Sequence, residues 1–107
     1  MAAKKVLRAV RYMERRLTAG GLNISKVVLF GSHARGRATP DSDVDVAIIS
    51  EDFRDRGLLE RADMTIGAEA EAIKKFLVPF DIVTLTPEEF EHGSSLVAQY
   101  ARQGVAL

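Results

Sequence analysis

The sequence predicts a mixed α/β (α+β) domain in which helices cover a small β-sheet of three to four strands. Two patterns alternate along the 107 residues. Short, nearly continuous apolar runs are typical of strands covered on both faces, and longer stretches carry apolar residues at helical spacing. The resulting order is helix, strand, loop, strand, helix, strand, helix. A chain of this length, with no internal linker, is expected to form a single domain over residues 1–107.

The N-terminal half contains a basic helix and the first two strands. Residues 3–18 are predicted to form an amphipathic helix, ended by Gly20-Gly21, whose apolar side recurs at helical spacing: Val6, Val10, Met13 and Leu17. Lys26–Phe30 and Val44–Ile49 are predicted strands that could pair as neighbours. The connection, Gly31–Ser42 with a turn at Pro40-Asp41, is long for a hairpin, and such loops are often functional.

The C-terminal half begins with the longest predicted helix, Arg56–Leu77, ended by Pro79. Six apolar residues line one of its faces: Leu59, Ala62, Ile66, Ala70, Ile73 and Leu77. Phe80–Leu85 is the third predicted strand. Thr86, Pro87 and Glu89 form a helix-start signal with a capping box. A last helix is capped by Ser94 or Ser95 and ended by Gly104, and Val105–Leu107 is a possible terminal strand.

Composition narrows the class of protein. The chain has no cysteine, which excludes disulfides and thiolate metal sites and suits a reducing cytoplasm. No apolar run approaches the ~20 residues that a membrane span needs. The net charge of zero argues against a dedicated nucleic-acid binder. The first helix nevertheless has a basic face, which is either solvated charge or a docking surface for an acidic partner or a nucleic acid.

The stretch that follows the first strand contains groups suited to phosphate. Gly31 lets a polyphosphate approach the main chain closely, because no Cβ intrudes. Free N–H groups at a helix start favour anions, Ser32 adds a hydroxyl donor, and Arg35 offers a planar fork for phosphate oxygens. An ordinary turn is the alternative. The spacing is not that of a Walker loop.

Three carboxylates are the candidate metal ligands. Asp43 and Asp45 lie two residues apart at the head of a strand and so project to one side, where a divalent cation would relieve their repulsion. Oxygen ligands favour Mg²⁺ or Mn²⁺. Asp81, at the head of the third strand, is the natural third carboxylate. The alternatives are a solvated strand end and a calcium loop, but Val46 occupies the position where that loop needs glycine.

These residues resemble a known signature. Gly31-Ser32, Ala34-Arg35-Gly36 and Ser42-Asp43-x-Asp45 are similar to the GSxARG…SDxD motif of minimal nucleotidyltransferases, the smallest members of the DNA polymerase β-like superfamily. The resemblance implies a polymerase β-like palm core and ATP as substrate. It also implies that Gly31 and Ser32 hold the triphosphate, supported by Arg35. Asp43 and Asp45 would then bind two Mg²⁺ ions, and Asp81 would bind one of them and help deprotonate the attacking hydroxyl.

The resemblance also implies a partner. Family members of this size commonly act as antitoxins, transferring AMP from ATP to a tyrosine of a HEPN-domain toxin. Two alternatives stay open: a non-catalytic module that neutralises its partner by occlusion, and transfer to a nucleic-acid end. His33 is expected to be a surface residue, with contact to base or phosphate as the alternative. Self-association is possible.

Overall fold

The computed structural model describes residues 3–39 and 41–107. Part of the predicted turn, Pro40, lies outside the described residues. A 3₁₀ turn at Glu51–Phe53 follows the second strand. The helices and strands, in chain order, are α1 Lys4–Ala19, β1 Ile24–Phe30, α2 Gly31–Arg35, β2 Val44–Ser50, α3 Leu58–Phe76, β3 Phe80–Leu85, α4 Pro87–His92, α5 Leu96–Arg102 and β4 Val105–Ala106.

The four strands form one mixed sheet in the order β3-β2-β1-β4. β1 pairs antiparallel with β2 and with β4, so the predicted pairing of the first two strands and the terminal strand are confirmed. β2 and β3 run parallel, and α3 forms the crossover between them. Strands joined in parallel need such a crossover, which explains why the longest helix lies between these two. The predicted fold class is confirmed.

Helices cover both faces of the sheet, which is why the strands are nearly continuous apolar runs. On one face, Val27, Leu29 and the alternate β2 residues pack under α1 and α3 with Met13 and Phe53. On the other face, Val28, Ile49 and their neighbours pack under the last two helices. Alternate residues of each strand therefore contribute to two separate apolar layers. No described helix is long and apolar enough to cross a membrane.

The orientation of α3 differs from what its apolar pattern suggests. An apolar helix face normally packs on the core, but the predicted stripe is turned outward. Its four large members are exposed: Leu59, Ile66, Ile73 and Leu77. The buried side instead carries Thr65 and Ala72, with Met64, Ala68 and Phe76 packed against the core. The small side chains of Thr65, Ala68 and Ala72 on that side let the helix lie close to the core.

Residues close to each helix end determine where the helix begins and ends. Thr86 accepts a hydrogen bond from the backbone of Glu89, whose carboxylate accepts one from the backbone of Thr86, so the predicted capping box is confirmed. Ser95, rather than Ser94, caps α5. α3 starts after Gly57, and Leu77 ends it in the left-handed conformation at φ 55°. These ends lie within two residues of the predicted boundaries.

Candidate functional site

The site lies where the C-terminal end of β1 meets the N-terminal ends of β2 and β3. Phe30 pairs with Asp45 across the antiparallel ladder, and Asp45 pairs with Asp81 across the parallel one. In-register neighbours in a sheet project to the same face, so the carboxylates of Asp45 and Asp81 share one face of the sheet. Asp43 stands immediately before β2 and is exposed, as is Asp81, whereas Asp45 is half-buried.

Gly31, which follows β1, allows the backbone to pass close to the Asp45 side chain. Its φ is +73°, in the left-handed region that favours glycine. A Cβ added here would overlap the Asp45 carboxylate, with 3.1 Å to Cγ and 3.3 Å to Cβ of that residue. The chain therefore turns from β1 into α2 directly over the carboxylate.

The electrostatics of Asp45 reflect this crowding. Burial raises the pKa of the Asp45 carboxyl, and the charges of Asp81 and Asp43 raise it further, while His33 opposes them. A carboxyl held among other carboxyls gains from any cation that neutralises the group. On α3, Glu69 also has a raised carboxyl pKa, from burial first and the charge of Asp81 second.

The loop between α2 and β2 is held by Ser42. Its hydroxyl accepts a hydrogen bond from the backbone N–H of Thr39 at 2.9 Å, and its own N–H donates to the Thr39 carbonyl at 3.0 Å. The carbonyl of Ser42 lies 3.2 Å from Nε2 of His33. His33 is thus partly buried and braces the loop that presents Asp43, instead of lying free on the surface.

Arg35 stands on the last turn of α2 and is exposed. Gly36 ends that helix in the left-handed conformation at φ 71°, and the Arg37 N–H donates to the Ser32 carbonyl at 2.9 Å. Arg35 therefore lies at the opposite end of α2 from Gly31. Its assignment to phosphate stays a prediction.

The donor set is one that a hard cation prefers, because it consists of carboxylate oxygens. Within residues 3–39 and 41–107, no three Asp, Glu, His or Cys side chains are gathered tightly enough to hold a metal on their own. That finding is compatible with Mg²⁺, which is usually bound by one or two carboxylates and completes its shell with water and substrate phosphates. The residues present fit such an ion, with Asp45 as the central ligand and Asp43 and Asp81 beside it.

Sequence reasoning missed two members of this region. Ser42 is part of the motif, but its role in fixing the loop depends on hydrogen bonds that spacing does not reveal. Glu69 was not identified because its position beside Asp81 depends on how α3 lies over β3. A separate groove of about 590 Å³ lies near the opposite end of the sheet, where Arg16 and Glu71 form an ion pair at 2.6 Å. None of the three aspartates lines this groove, so we assign the chemistry to the carboxylate edge.

Comparisons with known proteins show the family and the fold. The family model of the nucleotidyltransferase domain matches residues 7–103, and the chain belongs to that family. It is similar in structure to a provisionally designated nucleotidyltransferase from Sulfolobus solfataricus, solved by crystallography, with a TM-score of 0.61 at 18% identity. The match covers 97% of this chain and 86% of that one, and supports the fold. No curated protein matches the sequence significantly.

Proposed function

We propose that the chain is a Mg²⁺-dependent nucleotidyltransferase that transfers AMP from ATP to a hydroxyl group on a partner protein. The observation that carries this proposal is the in-register pair of Asp45 and Asp81 directly beside the glycine that ends β1. Membership of the nucleotidyltransferase family supports nucleotidyl transfer in general. The metal, the nucleotide and the acceptor are the parts that the proposal adds.

In the proposed reaction, the acceptor oxygen attacks the α-phosphorus of ATP, and the bond to the bridging oxygen of the β-phosphate breaks. AMP becomes esterified to the acceptor, pyrophosphate leaves, and the hydroxyl proton passes to the carboxylate of Asp81. The N–H groups at the start of α2 and the Ser32 hydroxyl hold the triphosphate. Bound Mg²⁺ would supply charge neutralisation at the phosphates, with Asp43, Asp45 and Asp81 as its protein ligands.

The acceptor is proposed to be a HEPN-domain toxin, with this chain as its antitoxin in the cytoplasm. The proposal rests on the resemblance of the Gly31–Asp45 stretch to minimal nucleotidyltransferases.

The test is transfer to a defined partner. The protein is incubated with ATP, Mg²⁺ and the HEPN-type protein encoded beside it, and the partner is analysed by mass spectrometry. We expect the mass of one AMP per modified hydroxyl and loss of toxin activity. Asp43→Asn is the control, because Asp43 is exposed and its replacement should leave the fold intact. An unmodified partner, or equal modification by Asp43→Asn, contradicts the catalytic proposal.

A second candidate is neutralisation of the partner by occlusion, without chemistry. One observation favours it, the exposed apolar side chains of α3. It predicts that a chain carrying both Asp43→Asn and Asp45→Asn still binds the partner and still inhibits it. Catalysis predicts that this double variant binds but fails to inhibit, so a toxicity assay with the double variant separates the two.

A further inference from the structure

The outward face of α3 carries a regular apolar stripe. Leu59 is 81% exposed, Ile66 60% and Ile73 36%, and these three residues are spaced by seven. Ala62 and Ala70, also exposed, lie between them on the same side of the helix. Spacing by seven keeps side chains aligned along a helix–helix seam. Contiguous exposed apolar surface on a small protein usually marks an interaction site.

The stripe borders an apolar groove beside β3. The groove has a volume of about 370 Å³ and lies between α3 and the sheet edge, with Val97 of α5 on its far side. Ala62 and Ile66 line it from the helix, and residues 82–85 of β3 line it from the strand. Apolar side chains from both layers of the molecule therefore flank one edge of the sheet.

That edge is an open strand edge. β3 has β2 as its single neighbour in the described sheet. Because the Val44 N–H donates to the Pro79 carbonyl and backbone groups alternate along a strand, Phe80, Ile82 and Thr84 direct theirs to the open side. The Thr84 carbonyl accepts from Arg61 at 3.4 Å. Residues 80–85 contain no proline, lysine or bulge, and Asp81 is the one charged residue among them.

We propose that a second copy of this chain occupies the edge, with the two β3 strands paired antiparallel about a twofold axis at Ile82. The two sheets then form one sheet of eight strands. Ile82 lies opposite its own copy, and Asp81 lies opposite Val83 of the second copy. Asp81 is the one charged residue of β3, and this register keeps the two Asp81 carboxylates apart. Because Asp81 lies one residue from the axis, the two candidate active sites lie near each other at the centre of the shared strand pair.

The stripe on α3 fits the same axis. It is symmetric about Ile66, since Leu59 and Ile73 each lie seven residues away and Ala62 and Ala70 each lie four residues away. In an antiparallel helix pair centred on Ile66, Leu59 meets Ile73 of the second copy and the alanines meet each other. Ile66 and Ile82 line the same groove, so one twofold axis relates both the two β3 strands and the two α3 helices.

A second copy fits this surface better than an unrelated partner. A partner helix in the groove would leave the open backbone groups of β3 unpaired, whereas an extended strand satisfies them. A strand from an unrelated protein would account for the open edge but not for the symmetry of the α3 stripe. The proposal does not depend on the catalytic assignment, because its tests measure the oligomeric state of the chain and not nucleotidyl transfer.

Sedimentation equilibrium of the purified full chain over a range of concentrations tests the proposal. We expect a species of twice the 11.7 kDa monomer mass. Ile66→Arg should raise the dimer dissociation constant roughly 30-fold or more, as charge at the centre of an apolar interface does. Val105→Arg is the matched control, because Val105 is 52% exposed on β4 at the other edge of the sheet. Circular dichroism confirms that both variants stay folded.

Cross-linking gives an independent readout, since the chain has no cysteine. Ile66→Cys should form a disulfide-linked dimer on mild oxidation, because residue 66 lies beside its own copy. Asp63→Cys, on the same helix and exposed, should not. A monomer at all concentrations, dimerisation unaffected by Ile66→Arg, equal cross-linking of Asp63→Cys, or assembly with a different protein alone would overturn the proposal.

Discussion

Replacing Gly31 by alanine probes the closest contact of the site. Two costs arise at this position. The first is backbone strain, because φ is +73°; an alanine in the left-handed region costs about 1–2 kcal/mol. Loss of glycine flexibility in the unfolded chain offsets about 0.4–1 kcal/mol of this. The second cost is the overlap of the new Cβ with the Asp45 carboxylate. Turning that side chain away from a favoured rotamer costs about 0.5–1.5 kcal/mol.

The sum is a loss of roughly 0.5–3 kcal/mol in the free energy of unfolding. A chain of this size loses about 4–8 °C in Tm for each kcal/mol. The larger effect is on function, because Asp45 is displaced from its place beside Asp81. Disturbing the surroundings of a metal ligand typically costs about 10–100-fold in metal affinity or activity. We therefore expect Mg²⁺-dependent binding of ATP by Gly31→Ala, measured by isothermal titration calorimetry, to be weakened about 10–100-fold.

Gly21→Ala is the matched control. Gly21 also has a positive φ, +104°, but a Cβ there meets nothing within 4 Å, and the residue lies at the other end of the sheet. Gly21→Ala should therefore lose stability through backbone strain alone, which lowers its Tm by a few degrees. It should bind ATP as the wild type does. If Gly31→Ala binds ATP normally, or if Gly21→Ala weakens binding as much, the assignment of Gly31 to the nucleotide site is refuted.

Three further predictions concern stability and pH. Because burial and neighbouring carboxylates raise the pKa of Asp45, its contribution to stability is full below the pKa of the unfolded chain and is lost as pH rises through the folded value. Asp45→Asn should thus raise Tm at pH 7 without metal, while weakening Mg²⁺-dependent ATP binding by about 100-fold. Thr86→Ala, which removes the α4 cap, should cost about 1 kcal/mol in urea unfolding, and an unchanged midpoint would show that the cap contributes nothing. Phe53→Ala, at a fully buried position, should cost about 3–5 kcal/mol, and a loss below 1 kcal/mol would contradict the packing described for the 3₁₀ turn.

The strands were predictable because each is a local apolar run with a single interpretation. Val44–Ser50 and Phe80–Leu85 are apolar on both sides, and the structure covers both sides. The capping box at Thr86 was equally predictable, because its hydrogen bonds join residues three apart. Apolar runs and capping boxes are formed by residues close together in the chain, so both can be predicted from the local sequence.

The orientation of α3 was not predictable from its periodicity. The helix has two apolar faces, one with large side chains around Ile66 and one with smaller ones around Ala72. Periodicity favours the large one, whereas close packing on the sheet and α1 selects the small one. If a second copy covers the stripe, the larger face is buried after all, in an interface instead of the core.

The candidate site was predictable in its parts but not in its assembly. Gly31, Asp43 and Asp45 lie within one stretch, and their chemistry follows from spacing. The placement of Asp81 beside Asp45 depends on the parallel pairing of β2 and β3, a long-range choice that no local pattern specifies. The brace from His33 to Ser42 depends on the loop conformation in the same way.

The most direct test of the central claim is which phosphate of ATP remains on the acceptor. The protein is incubated with Mg²⁺, the HEPN-type partner and ATP labelled at either the α- or the γ-phosphate. Nucleotidyl transfer predicts label from the α-phosphate on the partner, pyrophosphate in solution, and no label with Asp45→Asn. Label from the γ-phosphate, or α-label that persists with Asp45→Asn, would contradict nucleotidyl transfer at this carboxylate edge.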